Sequence, residues 1–167
     1  GVRGDEFHVC TAGDLDNFRM NHKGIKKLEF HGSLQCDKRC EEIPVDGITE
    51  IVGNNTEITS IYPLQHPLFV DLEANVTISD LKLGFNVNMV SDGVSSDYGM
   101  IAYYGDNVTL NNITVQNVNL FGTGVIENFG VLFGSLDGGT LNNVTLDNVT
   151  ILLEHPDGYV ICRPSEG

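Results

Sequence analysis

The sequence predicts a mainly β fold, a parallel β-helix (β-solenoid) with a short N-terminal helix and a cysteine loop as its cap. Three observations carry this. Asp106-Asn107-Val108-Thr109-Leu110-Asn111-Asn112-Ile113-Thr114-Val115 is restated position by position as Asp137-Gly138-Gly139-Thr140-Leu141-Asn142-Asn143-Val144-Thr145-Leu146, and the match runs on to Leu120 and Ile151. A looser copy, Asn75-Val76-Thr77-Ile78-Ser79-Asp80-Leu81-Lys82-Leu83, lies upstream at nearly the same spacing. From Ile48 onward no helical period returns, and short runs of alternating apolar residues take its place. Self-similarity at a fixed spacing of this kind marks units that bury their apolar side only by stacking on the next.

In chain order, Phe7-His8-Val9-Cys10 reads as a short strand. Thr11-Ala12-Gly13-Asp14 spells a capping box, and Leu15 and Phe18 give the helix it opens one apolar side, with an end expected between Asn21 and Gly24. Lys27-Leu28-Glu29-Phe30-His31 alternates as a half-buried strand does, and Gly32 breaks it. Residues 36–44 carry Cys36 and Cys40 without any period and read as a loop pinned by sulfur. These elements form a cap region, residues 1–47. Residues 48–152 form the solenoid, 153–167 a last strand and tail, and the three together one structural domain.

Within the solenoid, strands are expected at 48–52, 57–62, 68–72, 76–83, 87–90 and 100–104, followed by six from the twin repeats. An antiparallel sandwich has a similar strand count, but its strands face different neighbours and have no reason to repeat. In the repeat, Val108 and Leu110 alternate inward and leave Asn107 and Thr109 to solvent. Ile113 and Val115 are out of phase with Leu110, so the chain bends at Asn111-Asn112, where asparagine tolerates the left-handed conformation. Stacking sets Asn112 over Asn143, with Asp80 in the third copy, and Asn117 over Asn148, so that corner amides bond along the stack.

Gly130-Val131-Leu132-Phe133-Gly134, followed by Gly139-Thr140-Leu141-Asn142-Asn143-Val144 and Asn148-Val149-Thr150-Ile151, resembles the GLUG repeat of secreted and surface proteins, many of them adhesins. Residues 100–120 match it more weakly, with Tyr103 where a glycine is expected, and the resemblance spans about 67–152. It implies a right-handed parallel β-helix. It implies no reaction, because the repeat is architecture.

Composition excludes several functions. With 23 acidic against 9 basic side chains and a net charge of −14, the chain repels nucleic acid and anionic lipid. No apolar run reaches the length of a membrane span, about 18 residues. A lyase or hydrolase on such a fold needs paired acids, or calcium ligands with a base. Asp71, Asp106 and Asp137 sit at expected turns, and residues 67–152 hold a single basic side chain, Lys82. His8, His22, His31, His66 and His155 show no metal-ligand spacing, so no cofactor and no metal are expected. Tyr103-Tyr104 with Asp106 is the one candidate carbohydrate-binding patch. Arg3-Gly4-Asp5 spells an integrin-binding tripeptide, a match short enough to arise by chance. Thr77, Thr109 and Thr140 form one column and Thr114 and Thr145 another, too few coils for an ice-binding face.

Six Asn-x-Thr sequons are the most specific chemical signal: Asn54, Asn75, Asn107, Asn112, Asn143 and Asn148. Alternation points Asn75, Asn107 and Asn148 outward, and these are expected to carry N-linked glycans. Asn112 and Asn143 fall at a corner, where a ladder and a glycan exclude each other, and Asn54 falls in an expected loop. The sequons, the four cysteines Cys10, Cys36, Cys40 and Cys162, and a start at Gly1 that suggests a removed leader all lead to an extracellular, secreted or cell-surface setting. The expected function is that of a non-catalytic structural glycoprotein, joined head to tail with itself into a fibre or surface appendage. A carbohydrate-binding or carbohydrate-cleaving module is the alternative. The cysteines suit the fibre: three lie near one end and Cys162 at the other, so one thiol is left to reach Cys162 of a neighbour. No cap is apparent after Ile151, and the strand around 159–162 is expected to pair with something.

Overall fold

A computed structural model describes residues 1–73, 75–91 and 96–155, and the backbone of 160–162. It is a β-solenoid. Strand β1 (Val2–Arg3) pairs antiparallel with β2 (Glu6–Val9), and helix α1 (Ala12–Asn21) leads to β3 (Lys27–Phe30) and β4 (Leu34–Cys36). Then come β5 (Glu50–Ser60), β6 (Asp71–Leu72), β7 (Thr77–Leu83), β8 (Val87–Val90), β9 (Ser96–Tyr98), β10 (Ala102–Thr123), β11 (Ile126–Phe129), β12 (Phe133–Glu154) and β13 (Val160–Cys162). The main sheet runs β1-β2-β3-β5-β7-β10-β12-β13, with β4 on β5 and both β6 and β8 on β10, while β9 and β11 form a separate pair. Every pairing from β2 through β12 is parallel, and the antiparallel ones lie at the two ends.

The register is the one that the repeats imply. Thr109 pairs with Thr140 on one side and Thr77 on the other, each the equivalent residue of a neighbouring copy. The strands differ from expectation, since each twin repeat is one unbroken strand of 22 residues rather than three short ones. Asn107, Asn112 and Asn117 take φ of 56°, 56° and 55°, and the β10–β12 ladder steps over each of them. A single left-handed residue turns the chain without ending the ladder, and asparagine pays the least for that conformation after glycine. Bends thus recur at every fifth position. Between them each flat face sends two side chains inward: Val108 and Leu110, then Ile113 and Val115, then Val118 and Leu120, all buried. Where the second repeat has Gly139 in place of Val108, φ is 119° and an added Cβ would lie 2.2 Å from the Val108 carbonyl oxygen, so a side chain is excluded there.

Stacking of equals builds the core. Phe7, Leu28, Ile51, Ile78, Leu110 and Leu141 pair in register through six successive strands. The first five are at most 1% exposed, and each contributes about 1.5–3 kcal/mol by leaving water. The buried side chains from Phe7 to Phe133 form one cluster that includes both the cap and the coils.

The cap is built as its sequence suggests. Asp14 Oδ2 accepts from the backbone N–H of Thr11 (3.0 Å) and of Cys10 (2.8 Å), starting α1. Ala12, Leu15 and Phe18 are its buried side, and Phe18 meets the Phe7 ring edge-on at 5.0 Å, which closes the bottom of the column. A Cys36–Cys40 disulfide pins the loop. Arg19 ties the helix to that loop, its guanidinium donating to the carbonyls of Glu42 (3.0 Å), Arg39 (2.8 Å) and Glu41.

Candidate functional site

All six sequon asparagines sit at left-handed positions, with φ between 52° and 63°. Asn75, Asn107 and Asn148 are exposed, as alternation expects, but the left-handed backbone means that they do not lie on flat strand faces. They are corners, as Asn112 and Asn143 are. Asn107 donates to Asn75 Oδ1, Asn112 to Asp80 Oδ1 (2.9 Å), Asn143 to Asn112 Oδ1 (3.1 Å) and Asn148 to Asn117 Oδ1 (3.0 Å). The predicted ladders exist, joined by a further rung from Asn142 to Asn111 (2.8 Å) that the spacing did not single out. An N-linked glycan replaces one of the two Nδ2 hydrogens. Asn75 enters its ladder as an acceptor, which leaves its amide nitrogen outside that bond. Asn54 is the opposite case: it lies within β5 and not in a loop, and its Nδ2 donates to both Glu29 Oε1 and the Phe30 carbonyl, each at 2.9 Å.

The two ends of the stack differ. At the first, β1 lies along β2, and α1 covers Phe7. At the last, β12 repeats the pattern of β10, but among the described residues no further coil covers its inward residues. Leu136 is 38% exposed and Leu141 and Leu146 are each 52% exposed. The expected terminal strand folds back on its own coil, with β13 pairing antiparallel to Leu153 and Glu154, so it does not stay free for another subunit. Along the remainder of β12 the described residues place no strand on the outer edge.

Cys36 is bonded to Cys40 and Cys10 is a free, exposed thiol, which identifies the spare cysteine of the cap. The side chain of Cys162 lies outside the described residues. Arg3, Gly4 and Asp5 are exposed where β1 turns into β2, with Gly4 at φ 62°. Of the proposed carbohydrate patch, Tyr103 is half-buried with its hydroxyl 2.7 Å from His66 Nδ1; burial, with Glu42 and Glu41 nearby, pushes the phenol up from its ordinary value. Tyr104 pairs in register with Asp71, and Asp106 stacks on Asp137. A groove of about 450 Å³ beside them is lined by Asp46, Asp71 and Glu73 with Pro44, Val45 and Val70. No helix among the described residues is long and apolar enough to cross a membrane.

Three residues that showed no ligand spacing in the sequence are brought together: His8, Glu29 and His31. The signal was available only through register, because β2 and β3 pair with His8 opposite Glu29. No family model, no curated protein and no solved structure matches this chain.

Proposed function

We propose that this chain is a non-catalytic structural glycoprotein of an extracellular assembly, joined end to end with copies of itself through its last coil. The observation that carries the reading is the open face of β12, where Leu141 and Leu146 stand half in water above residues that are fully buried one coil below. The face that β12 turns outward has the design of the face β10 turns toward β12, so the partner it fits is a surface that offers a strand edge and apolar side chains. Such a contact pairs an unpaired strand edge and removes apolar surface from water at once. The six sequons and the disulfide agree with a secreted protein, and the GLUG-like pattern with an architectural one.

Head-to-tail joining puts the last coil of one copy on the end of the next that carries β1 and α1. It repeats without closing, hence a fibre or appendage. Exposed Cys10 at that end and Cys162 in the last strand supply thiols for a covalent lock between copies. Sedimentation at micromolar concentration tests the reading, with a concentration-dependent series of multimers expected. A single species of 18.2 kDa plus glycan overturns it. Growth that stops at a dimer overturns the fibre, since two last coils facing each other form a closed pair. A second reading, carbohydrate binding, is favoured by the acidic groove beside Tyr103 and Tyr104. Glycan-array binding that is lost in Tyr104→Ala would support it.

A further inference from the structure

We infer that His8, Glu29 and His31 form a site for one divalent transition-metal ion of the zinc class, which clips the first two rungs of the solenoid together. His8 projects from β2 and Glu29 from the facing position of β3. His31 follows β3, its backbone N–H held by the Val9 carbonyl at 2.9 Å. Among the described residues these are the one group of three His, Cys, Asp or Glu side chains whose ligand atoms all lie within 4.8 Å of one another.

The donor atoms converge. His8 Nδ1 is 2.8 Å from His31 Nε2 and 3.6 Å from Glu29 Oε2, and His31 Nε2 is 3.9 Å from Glu29 Oε1. A tetrahedral zinc ion with bonds near 2.0–2.2 Å holds its ligands roughly 3.3 Å apart, so side-chain shifts of about half an ångström complete three corners. Two imidazoles and one carboxylate suit zinc, copper or nickel and not calcium or magnesium, which prefer oxygen donors. The three side chains are 27%, 16% and 38% exposed, so the fourth corner opens to water.

Supporting groups stand behind two of the ligands, as metal sites require. Asn54 donates to Glu29 Oε1 at 2.9 Å and is itself anchored on the Phe30 carbonyl, which orients the carboxylate and leaves Oε2 for the ion. His8 Nε2 is buried, makes no hydrogen bond among the described residues, and faces Glu6 Oε2 at 3.3 Å. When the ion takes Nδ1, the ring proton resides on Nε2 and meets that carboxylate. The 2.8 Å contact between two ring nitrogens demands one proton shared between them, and the ion takes its place without net proton release from a neutral pair. Lys27 Nζ, 3.8 Å from Glu6 Oε1 and 3.9 Å from Glu29 Oε2, is the cation that balances these acids beforehand. It swings to solvent when the ion enters. The ion thereby bridges β2 and β3 at the foot of the stack, next to the cap.

The test uses the intact chain carrying Cys10→Ser, so that the exposed thiol does not bind metal, stripped with chelator and titrated with Zn²⁺ by calorimetry. One ion per chain is expected. Co²⁺ in place of zinc should give the visible absorption of a four-coordinate site. His31→Ala, at an accessible position, and His8→Gln should each weaken binding about 10-fold or more, and Asn54→Gly, which keeps the left-handed backbone, about 10-fold. Asn112→Gly, a corner remote from the site, should change nothing. If His8→Gln does not fold, His31→Ala decides alone. Absence of saturable one-to-one binding, or binding that survives His31→Ala, overturns the site, and neither result bears on assembly through the last coil.

Discussion

Leu141 lies directly over Leu110 in the β10–β12 ladder, yet Leu110 is fully buried and Leu141 is 52% exposed. The same side chain in the same repeat position therefore does two different jobs. Leu110→Ala opens a cavity and should cost about 2–5 kcal/mol in denaturant unfolding. Leu141→Ala, already half in water, should cost well under that, roughly 1 kcal/mol. Leu141→Asp with Leu146→Asp should leave the fold intact by circular dichroism and abolish multimers in sedimentation. Multimers that persist would mean that the last coil is not the contact.

The corner asparagines act through the backbone as well as through their amides. Asn112 combines φ of 56° with a bond donated to Asp80 and one accepted from Asn143. Asn112→Ala must hold a Cβ in the left-handed region, at about 1–2 kcal/mol, and also loses both ladder bonds. Asn112→Gly loses the bonds alone, so it should be the milder change, and the difference between the two midpoints measures the backbone part. Equal losses would remove the backbone argument.

Thr56 is 1% exposed in an otherwise apolar column, stacked under Leu81 and Ile113, and its hydroxyl has no hydrogen-bond partner among the described residues. Thr56→Val replaces that orphan with a methyl group and should stabilise the protein by about 1–3 kcal/mol. The same substitution erases the Asn54 sequon. Because both Nδ2 hydrogens of Asn54 are engaged, the intact mass of protein made in a host that N-glycosylates should fall by no more than the side-chain difference. Loss of a whole glycan would show that Asn54 is modified.

Asp14 is held below the usual carboxylate range by the backbone N–H of Cys10 first, and then by that of Thr11. A depressed native value means stability that is fully present above the unfolded value, near 3.9, and is lost as pH falls through the native one. Glu29, lowered by its bond from Asn54, and Asp37, lowered by Arg39, add slopes of the same sign, while Glu41, raised by burial, opposes them. Unfolding midpoints measured from neutral to strongly acid pH should fall in that window. Asp14→Ala should lower stability at neutral pH and flatten the slope, and an unchanged slope would exclude Asp14 as a contributor.

Much of the coil was legible because its contacts join like to like. The three repeat copies put Thr77, Thr109 and Thr140 in one column, and the out-of-phase Ile113 located the bend at Asn112. The bend at Asn107 was missed by reading strict alternation across it. The even spacing of Asn107, Asn112 and Asn117 was the signal that would have found it. The cap helix was legible from Thr11 and Asp14, since a capping box is a local bond.

By itself, then, the sequence determined the parallel stack, the asparagine columns and the helix start, because each depends on residues close in the chain or identical one period away. Only the tertiary structure decided that Cys36 bonds to Cys40 and leaves Cys10 free, that Thr56 is an orphan in an apolar column, that β13 folds back on its own coil, and that His8 meets Glu29 and His31. These depend on the register between segments that share no repeat. Alternation of Phe7 and Val9 with Leu28 and Phe30 excludes a slip of one residue between β2 and β3, but a slip of two keeps every face and dissolves the cluster, and nothing in the local pattern of either strand excludes that.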